Sequence, residues 1–144
     1  MTRKKKFKNA VSPYLLCQEI YVDNPWRMMV CCILLNRTQG RQVHSIREEL
    51  FGRWPDPSSM SGADHDQLRE LLRPLGFYNK RASLLKEFSQ QWSDGDWSDV
   101  SELKGIGKYA RDSYSIFVEK RIDGVTPTDK VLNRYLEWRS KSDG

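Results

Sequence analysis

The stretch "LKGIGKYARDSY", residues 103–114, decides the fold. Gly105 and Gly107 stand two residues apart, and a run with helical spacing follows at once, beginning with Tyr109. Glycine adopts left-handed backbone conformations without a steric penalty, so a Gly-x-Gly turn can end one helix and begin the next. The stretch therefore predicts a helix, a tight glycine turn and a second helix.

Basic side chains surround this turn, namely Lys104, Lys108 and Arg111. The first N–H groups of a helix have no partner inside the helix, and they bind anions well. A phosphate can approach the backbone of Gly105 and Gly107 without meeting a Cβ atom. The turn is thus a candidate for binding a DNA phosphate without reading a base. The spacing alone fits equally well a glycine cap that joins two core helices.

Helix signals recur along the rest of the chain. Proline follows a capping residue at Ser12-Pro13 and at Asn24-Pro25, which is typical of helix N-termini. Asp64 to Gln67 has the form of a capping box, and Asn79 is predicted to cap the next helix. A last amphipathic helix is expected after Pro127, and no segment of useful length alternates with the period of a strand. The pattern predicts an all-α fold of about eight helices.

The positive charge of the chain is concentrated at its N-terminus. The formal net charge is +5, and five of the 24 basic residues lie in residues 1–8, which contain no acid. The remaining 19 basic residues balance the 19 acidic ones, so the body is formally neutral. We expect residues 1–10 to be a basic flexible arm and residues 11–144 to form one domain. The arm fits a polyanion contact and a targeting signal equally well.

The cysteines and the apolar runs argue against several classes of protein. The three cysteines, Cys17, Cys31 and Cys32, lack the spacing of a metal site, and two are adjacent. They are typical of a reduced intracellular protein. The longest apolar run, "MMVCCILL" at residues 28–35, is far shorter than the roughly 20 residues that span a membrane. No membrane or metal partner is expected.

Five ordered segments carry a resemblance to a known family: "CQEIYVDNPW", "LLNRTQG", "RPLGFYNKRA", "ELKGIGKYARDSY" and "LNRY". The chain resembles the helix-hairpin-helix DNA glycosylase superfamily that includes endonuclease III. Within it, residues 11 to 139 are similar to glycosylase domains of the methyl-CpG-binding domain protein 4 family. The resemblance implies a two-lobed all-α fold and double-stranded DNA with a mispaired pyrimidine as the partner. The iron–sulfur loop of some relatives needs four cysteines near the C-terminus, and none follows Cys32. No cofactor is implied, and we expect a monomer.

The resemblance assigns the chemistry to Asp129, in "VTPTDKVLNRY". The family has a catalytic Asp about twenty residues beyond the hairpin. A carboxylate there can stabilise the positive charge that develops on the sugar and can orient a water. Bifunctional relatives have a lysine nucleophile two residues after the second hairpin glycine, where this chain has Tyr109. The resemblance therefore implies a monofunctional hydrolase in which Tyr109 lines the base pocket. Without it, a helix cap and a core aromatic are the alternatives for these two residues.

Three further residues take roles only through the resemblance. Gln18 corresponds to the residue that reads the flipped base, because an amide can accept from N3–H and donate to a carbonyl. Arg37 corresponds to the arginine that enters the space left by the flipped nucleotide. Phe77 corresponds to the apolar residue against the orphaned partner base. A solvent-facing Gln, an Arg that caps helix carbonyls and a core Phe are the respective alternatives.

The function expected from the sequence is removal of thymine or uracil opposite guanine by base flipping, for base excision repair. One alternative is a non-catalytic helix-hairpin-helix DNA-binding module. Another is a bifunctional glycosylase or one for alkylated bases. The location would be intracellular, and nuclear in a eukaryote.

Overall fold

The computed structural model describes residues 12–14 and 16–143, and the predicted arm lies outside them. Within these ranges the chain forms helices and no strand, which confirms the all-α prediction. There are eight α-helices and two short 3₁₀ turns, Arg73–Leu75 and Val100–Glu102. The α-helices are α1 (Cys17–Ile20), α2 (Pro25–Leu35), α3 (Gly40–Arg53), α4 (Pro57–Ser61), α5 (His65–Leu72), α6 (Tyr78–Asp94), α7 (Lys108–Phe117) and α8 (Lys130–Asp143).

Two of the predicted helix starts are confirmed by their capping bonds. The Asn24 side chain accepts a hydrogen bond from the N–H of Arg27 at 3.1 Å, with Pro25 in the first turn. Asp64 Oδ1 accepts from the N–H of Gln67 at 3.0 Å. Each bond satisfies an N–H group that the helix itself leaves unpaired. Local sequence is sufficient at these two sites because the cap and its donor are three residues apart.

Two other helix starts were predicted wrongly. The first helix begins at Cys17 and not after Ser12-Pro13. The Glu19 carboxylate accepts from Ser12 N at 2.7 Å and from Leu16 N at 2.8 Å, which holds the preceding segment outside the helix. Asn79 is not a cap, because α6 begins at Tyr78 after Phe77, whose φ is 45°. The short helix α4, which begins at Pro57, was not predicted.

Helix α2 lies between two groups of helices. One group contains α3, α4, α5 and α6, with α4 and α5 packed on α6 and α3 packed on α5. The other contains α1, α7 and α8, with α1 packed on α7 and the ring of Phe117 4.8 Å from that of Tyr135 in α8. Helix α2 contacts members of both groups, and seven of its side chains from Met28 to Leu34 are at most 4% exposed. This is the two-lobed arrangement that the family resemblance implies.

No helix in the part of the chain that the structure describes is both long and apolar enough to cross a membrane.

Candidate DNA-repair site

The glycine turn after Leu103 lies against α6 and α2. Gly105 has a φ of +81°, and a Cβ atom there would lie 3.0 Å from Leu84 Cδ2 and 3.3 Å from Ile33 Cγ1. The backbone N–H of Lys104 donates to Gln91 Oε1 at 2.8 Å, which ties the turn to α6. Glycine is therefore required at position 105 by both backbone conformation and space.

The second glycine, Gly107, leaves the N-terminus of α7 exposed and without a side-chain cap. Gly107 is the N-cap residue, and no side chain caps the first turn of this helix. A Cβ atom at Gly107 would meet nothing within 4 Å. The first-turn N–H groups thus face an exposed position with Lys104 and Lys108 beside it, both of which are exposed. An anion can reach them, as expected of a helix N-terminus.

A cavity of about 800 Å³, here called the central cavity, opens beside this turn. Four segments of the chain form its walls: residues 14 and 16–18, residues 32–47, the hairpin with the first turn of α7, and the start of α8. The sequence-predicted residues among those that line it are Gln18, Arg37, Gly105, Gly107, Lys108, Tyr109 and Asp129. Seven predicted residues from four separate segments of the chain thus meet at one cavity.

Gln18 is fixed at the cavity wall by two hydrogen bonds. Its Nε2 donates to Tyr109 Oη at 2.7 Å and to Ser113 Oγ at 3.0 Å, and Gln18 is only 1% exposed. Both amide protons are therefore used inside the protein. The amide oxygen remains as an acceptor, 3.5 Å from Cys17 Sγ. Donation from Gln18 to a base carbonyl, which the sequence predicts, would require one of these bonds to break.

Tyr109 retains a hydroxyl proton that it can donate. Its oxygen accepts from Gln18, so the O–H group stays available for another acceptor. Burial raises the pKa of the Tyr109 phenol well above its ordinary value, an effect that the hydrogen bond from Gln18 only partly opposes. Tyr109 is therefore a neutral donor at physiological pH.

Asp129 caps helix α8 at the cavity edge. Its Oδ2 accepts from the N–H of Leu132 at 2.9 Å, and its carboxylate contributes to the raised pKa of Tyr109. The cap fixes the carboxylate, and the positive end of the helix stabilises its charge. The side chain is partly exposed, so water and a ligand can both reach it.

Arg37 and Phe77 share an unusual backbone conformation and a common anchor. Both lie in the left-handed region, with φ of 64° and 45°. The guanidinium of the buried Arg81 donates to the carbonyls of Leu75 and Gly76, the latter at 3.0 Å, and to the carbonyl of Asn36 at 2.6 Å. Arg81 therefore joins the turn before Phe77 to the turn that carries Arg37. Arg37 is exposed, and Phe77 is 62% exposed, unlike a core phenylalanine.

The basic residues of α7 are already paired. Lys108 Nζ lies 3.0 Å from Asp112 Oδ2. Arg111 lies 3.0 Å from Asp99 and 3.3 Å from Glu119, and it does not line the central cavity. A DNA contact by Arg111 stays a prediction, and it would compete with two carboxylates.

Several residues of the site were not found from the sequence. Ser113 lies four residues after Tyr109, so its helical position beside Tyr109 was a usable signal. Arg41, His44 and Arg47 also line the cavity, at intervals of three residues on α3. That spacing identifies one helix face and could have been read as a basic stripe. The bonds of Arg81 to the carbonyl of Asn36 span 45 residues and left no local signal.

Among residues 12–14 and 16–143, no group of three or more His, Cys, Asp or Glu side chains is arranged to hold a metal ion.

Comparison with known proteins identifies relatives along most of the chain. It is 36% identical over 127 residues to the methyl-CpG-binding domain protein 4-like protein of Arabidopsis thaliana, covering 88% of this chain and 28% of that protein. It is 34% identical over 93 residues to the thymine-DNA glycosylase of Aeropyrum pernix, covering 60% of this chain and 42% of that one. The chain thus spans less than half the length of either relative.

Solved structures share its fold. A thermostable thymine-DNA glycosylase matches with a TM-score of 0.62 at 21% identity, over 67% of this chain and 48% of that one. An endonuclease III trapped as a covalent DNA intermediate matches with a TM-score of 0.60 at 18% identity, over 67% of this chain and 49% of that one.

The family model of the HhH-GPD superfamily base excision DNA repair proteins matches residues 30–141, which include the hairpin and Asp129. The chain therefore belongs to the HhH-GPD superfamily of base excision DNA repair proteins.

Proposed function

We propose that this chain is a monofunctional DNA glycosylase that flips a thymine or uracil out of a mispair with guanine and hydrolyses its N-glycosidic bond. The observation that carries the proposal is the Gln18–Tyr109 hydrogen bond in a cavity that Asp129 also lines. The product would be an abasic site for base excision repair. The names of two relatives, a thymine-DNA glycosylase and a thymine/uracil-DNA glycosylase, support this substrate class.

The hydrogen bonds of the cavity favour a base with an N3–H group. Tyr109 and Ser113 accept both protons of the Gln18 amide, so only the amide oxygen is left to contact a base, and it does so as an acceptor. Uracil and thymine offer N3–H to that oxygen, and their carbonyl can accept from the Tyr109 hydroxyl. Cytosine has an acceptor at N3, which would face the Gln18 oxygen. An unpaired buried polar group costs about 1–3 kcal/mol, so cytosine is rejected.

The mispair lowers the cost of flipping. Extruding a base costs pairing and stacking energy, a few kcal/mol, and least for a mismatched base. Guanine–thymine and guanine–uracil pairs are therefore opened at lower cost than normal pairs. Arg37 would enter the vacated space, and the exposed ring of Phe77 would contact the orphaned guanine.

The residues beside Asp129 favour hydrolysis of the N-glycosidic bond over cleavage of the DNA strand. Its capped carboxylate can stabilise the oxocarbenium-like transition state and orient the attacking water. Tyr109 is a neutral phenol and is not an amine nucleophile. Lys108, the nearest lysine on α7, is paired with Asp112 at 3.0 Å and lies one residue before Tyr109, about 100° away around the helix.

The duplex would be held mainly through its phosphates. The uncapped start of α7 with Lys104 and Lys108 binds one phosphate, and Arg41, His44 and Arg47 supply further positive or polar contacts at the cavity rim. Because the body is formally neutral, this local grouping rather than bulk charge supports DNA binding. We propose that the protein acts as a monomer inside the cell, in the nucleus of a eukaryote.

Excision from a panel of otherwise identical duplexes tests the proposal. Under single-turnover conditions, release of uracil or thymine opposite guanine should be at least about a hundredfold faster than release of cytosine from guanine–cytosine pairs, the factor that two lost buried hydrogen bonds produce. Thymine in adenine–thymine pairs should also be released more slowly, because a matched pair costs more to open. Alkylated purines should not be released. Efficient release of an alkylated purine without any action on guanine–thymine or guanine–uracil would refute the proposal. Duplex binding without excision of any base would favour a non-catalytic module instead.

A further inference from the structure

Three cysteines meet where α1 packs against α2. Cys17 belongs to α1, and Cys31 and Cys32 are consecutive residues of α2. All three are free thiols, and Cys31 and Cys32 lie close enough to the Cys17 sulfur to lower the pKa of its thiol. The described residues hold no group arranged for a metal ion, so a metal site does not account for this cluster.

The cluster forms part of the wall of the central cavity. Cys17 and Cys32 line it, and Cys17 Sγ lies 3.5 Å from the Gln18 amide oxygen. Cys31 and Cys32 are 0% and 2% exposed, whereas Cys17 is partly exposed. A small reagent that enters the cavity therefore meets Cys17 first, and the other two thiols lie behind it.

The surroundings activate Cys17 rather than its neighbours. Hydrogen bonds from Cys31 and then Cys32 lower the pKa of the Cys17 thiol, and the charge of Arg47 at the cavity wall acts in the same direction. The pKa of the Cys31 thiol is raised by its hydrogen bond to Cys17 and then by burial. The pKa of the Cys32 thiol is raised by burial and then by its own hydrogen bond to Cys17. The thiolate is the reactive form of cysteine. Cys17, the accessible cysteine of the three, is therefore the one that forms a thiolate most readily.

We propose that Cys17 is a peroxide-reactive site in the wall of the central cavity, and that the Cys31–Cys32 pair converts its oxidised form into a disulfide. In the first step the Cys17 thiolate attacks hydrogen peroxide, the O–O bond breaks, and Cys17 becomes a sulfenic acid while hydroxide leaves and takes a proton to form water. In the second step a thiol of the pair loses its proton and attacks the Cys17 sulfur. The S–S bond forms, the S–O bond breaks, and a second water leaves.

The disulfide would displace Gln18 reversibly. An S–S bond is about 2.05 Å long, much shorter than a hydrogen bond between thiols, so its formation draws Cys17 toward α2. The adjacent Gln18, held to Tyr109 and Ser113, must shift or lose those bonds. Misplacement of about 1 Å at a reacting centre can reduce a rate roughly a hundredfold. This consequence for activity rests on the proposed glycosylase function, whereas the disulfide itself does not.

The test is peroxide treatment of the full reduced chain, followed by blocking of the remaining thiols and peptide mapping by mass spectrometry. The expected product is an intramolecular disulfide between Cys17 and Cys31 or Cys32, accompanied by a tenfold to hundredfold loss of uracil excision that dithiothreitol restores. In Cys17→Ala the ratio of activities before and after peroxide should remain near one, whatever its basal rate. In Cys31→Ala/Cys32→Ala, Cys17 should persist as a sulfenic acid that dimedone labels.

The two proposals fail in different ways. If the untreated protein excises no base, the glycosylase proposal fails, and the peptide map still decides the redox site. If the active protein retains a free Cys17 thiol after peroxide, or forms disulfides only between chains, the redox site is refuted. A mapped disulfide with unchanged excision would refute the displacement of Gln18.

Discussion

Ser113→Ala tests whether the orientation of the Gln18 amide determines base recognition. Ser113 accepts one of the two Gln18 protons at 3.0 Å in a fully buried position, and Tyr109 keeps the other. Removing the acceptor leaves one buried N–H unpaired, which costs about 1–3 kcal/mol of folding stability. For a chain of this size that lowers Tm by about 3–10 °C. The amide is also free to turn its nitrogen toward the base, so uracil excision should fall about tenfold, the equivalent of 1.4 kcal/mol.

Ser89→Ala is the matched control. Ser89 is equally buried and accepts one N–H, from Trp26 Nε1, also at 3.0 Å, but it does not line the central cavity. Both variants should lose similar stability in thermal unfolding. Single-turnover excision of guanine–uracil duplex, measured well below either Tm, should fall only in Ser113→Ala. Equal excision rates in the two variants would refute the role of Ser113.

Three further predictions concern the surroundings of the cavity. In Arg81→Lys a single ammonium replaces a guanidinium that binds three carbonyls, so excision should fall roughly tenfold, while the exposed control Arg73→Lys stays within twofold of the parent. Equal rates would show that the link between Asn36 and the turn before Phe77 is not needed. Borohydride should trap no covalent DNA adduct, because Lys108 is paired with Asp112; a trapped adduct absent in Lys108→Gln would contradict monofunctional chemistry. Deleting residues 1–8 should weaken binding to every duplex alike and reduce the salt dependence by about 0.9 per lost phosphate contact; a loss confined to one mismatch would mean that the arm reads sequence.

The parts of the fold that were predictable are those with local causes. Asn24 and Asp64 each cap a helix through a donor three residues away, and the Gly-x-Gly turn is read directly from residues 105–107. The first helix was misplaced because the Glu19 carboxylate bonds Ser12, a contact across seven residues that competes with the helix. The start of α6 was misplaced because Phe77 adopts a left-handed conformation that its residue type does not favour.

The site was less predictable because its contacts are distant in sequence. Gln18 and Tyr109 are 91 positions apart, and from composition alone an isolated Gln is a surface residue. Their roles could be assigned only through the family resemblance. The use of both Gln18 protons inside the protein, and the meeting of Cys17 with Cys31 and Cys32, depend on how α1 packs against α2 and α7. No periodicity or spacing encodes such packing.

The central claim is tested most directly by the excision rate of Asp129→Asn at saturating enzyme on a guanine–thymine duplex, beside that of Asp64→Asn. Both aspartates cap a helix by accepting an N–H bond three residues ahead, and asparagine caps about as well, so both variants should remain folded and bind the duplex. Only Asp129→Asn removes a carboxylate from the central cavity, and it should slow excision about 10²–10³-fold while Asp64→Asn keeps the parent rate. An Asp129→Asn variant that excises thymine as fast as the parent would contradict the account.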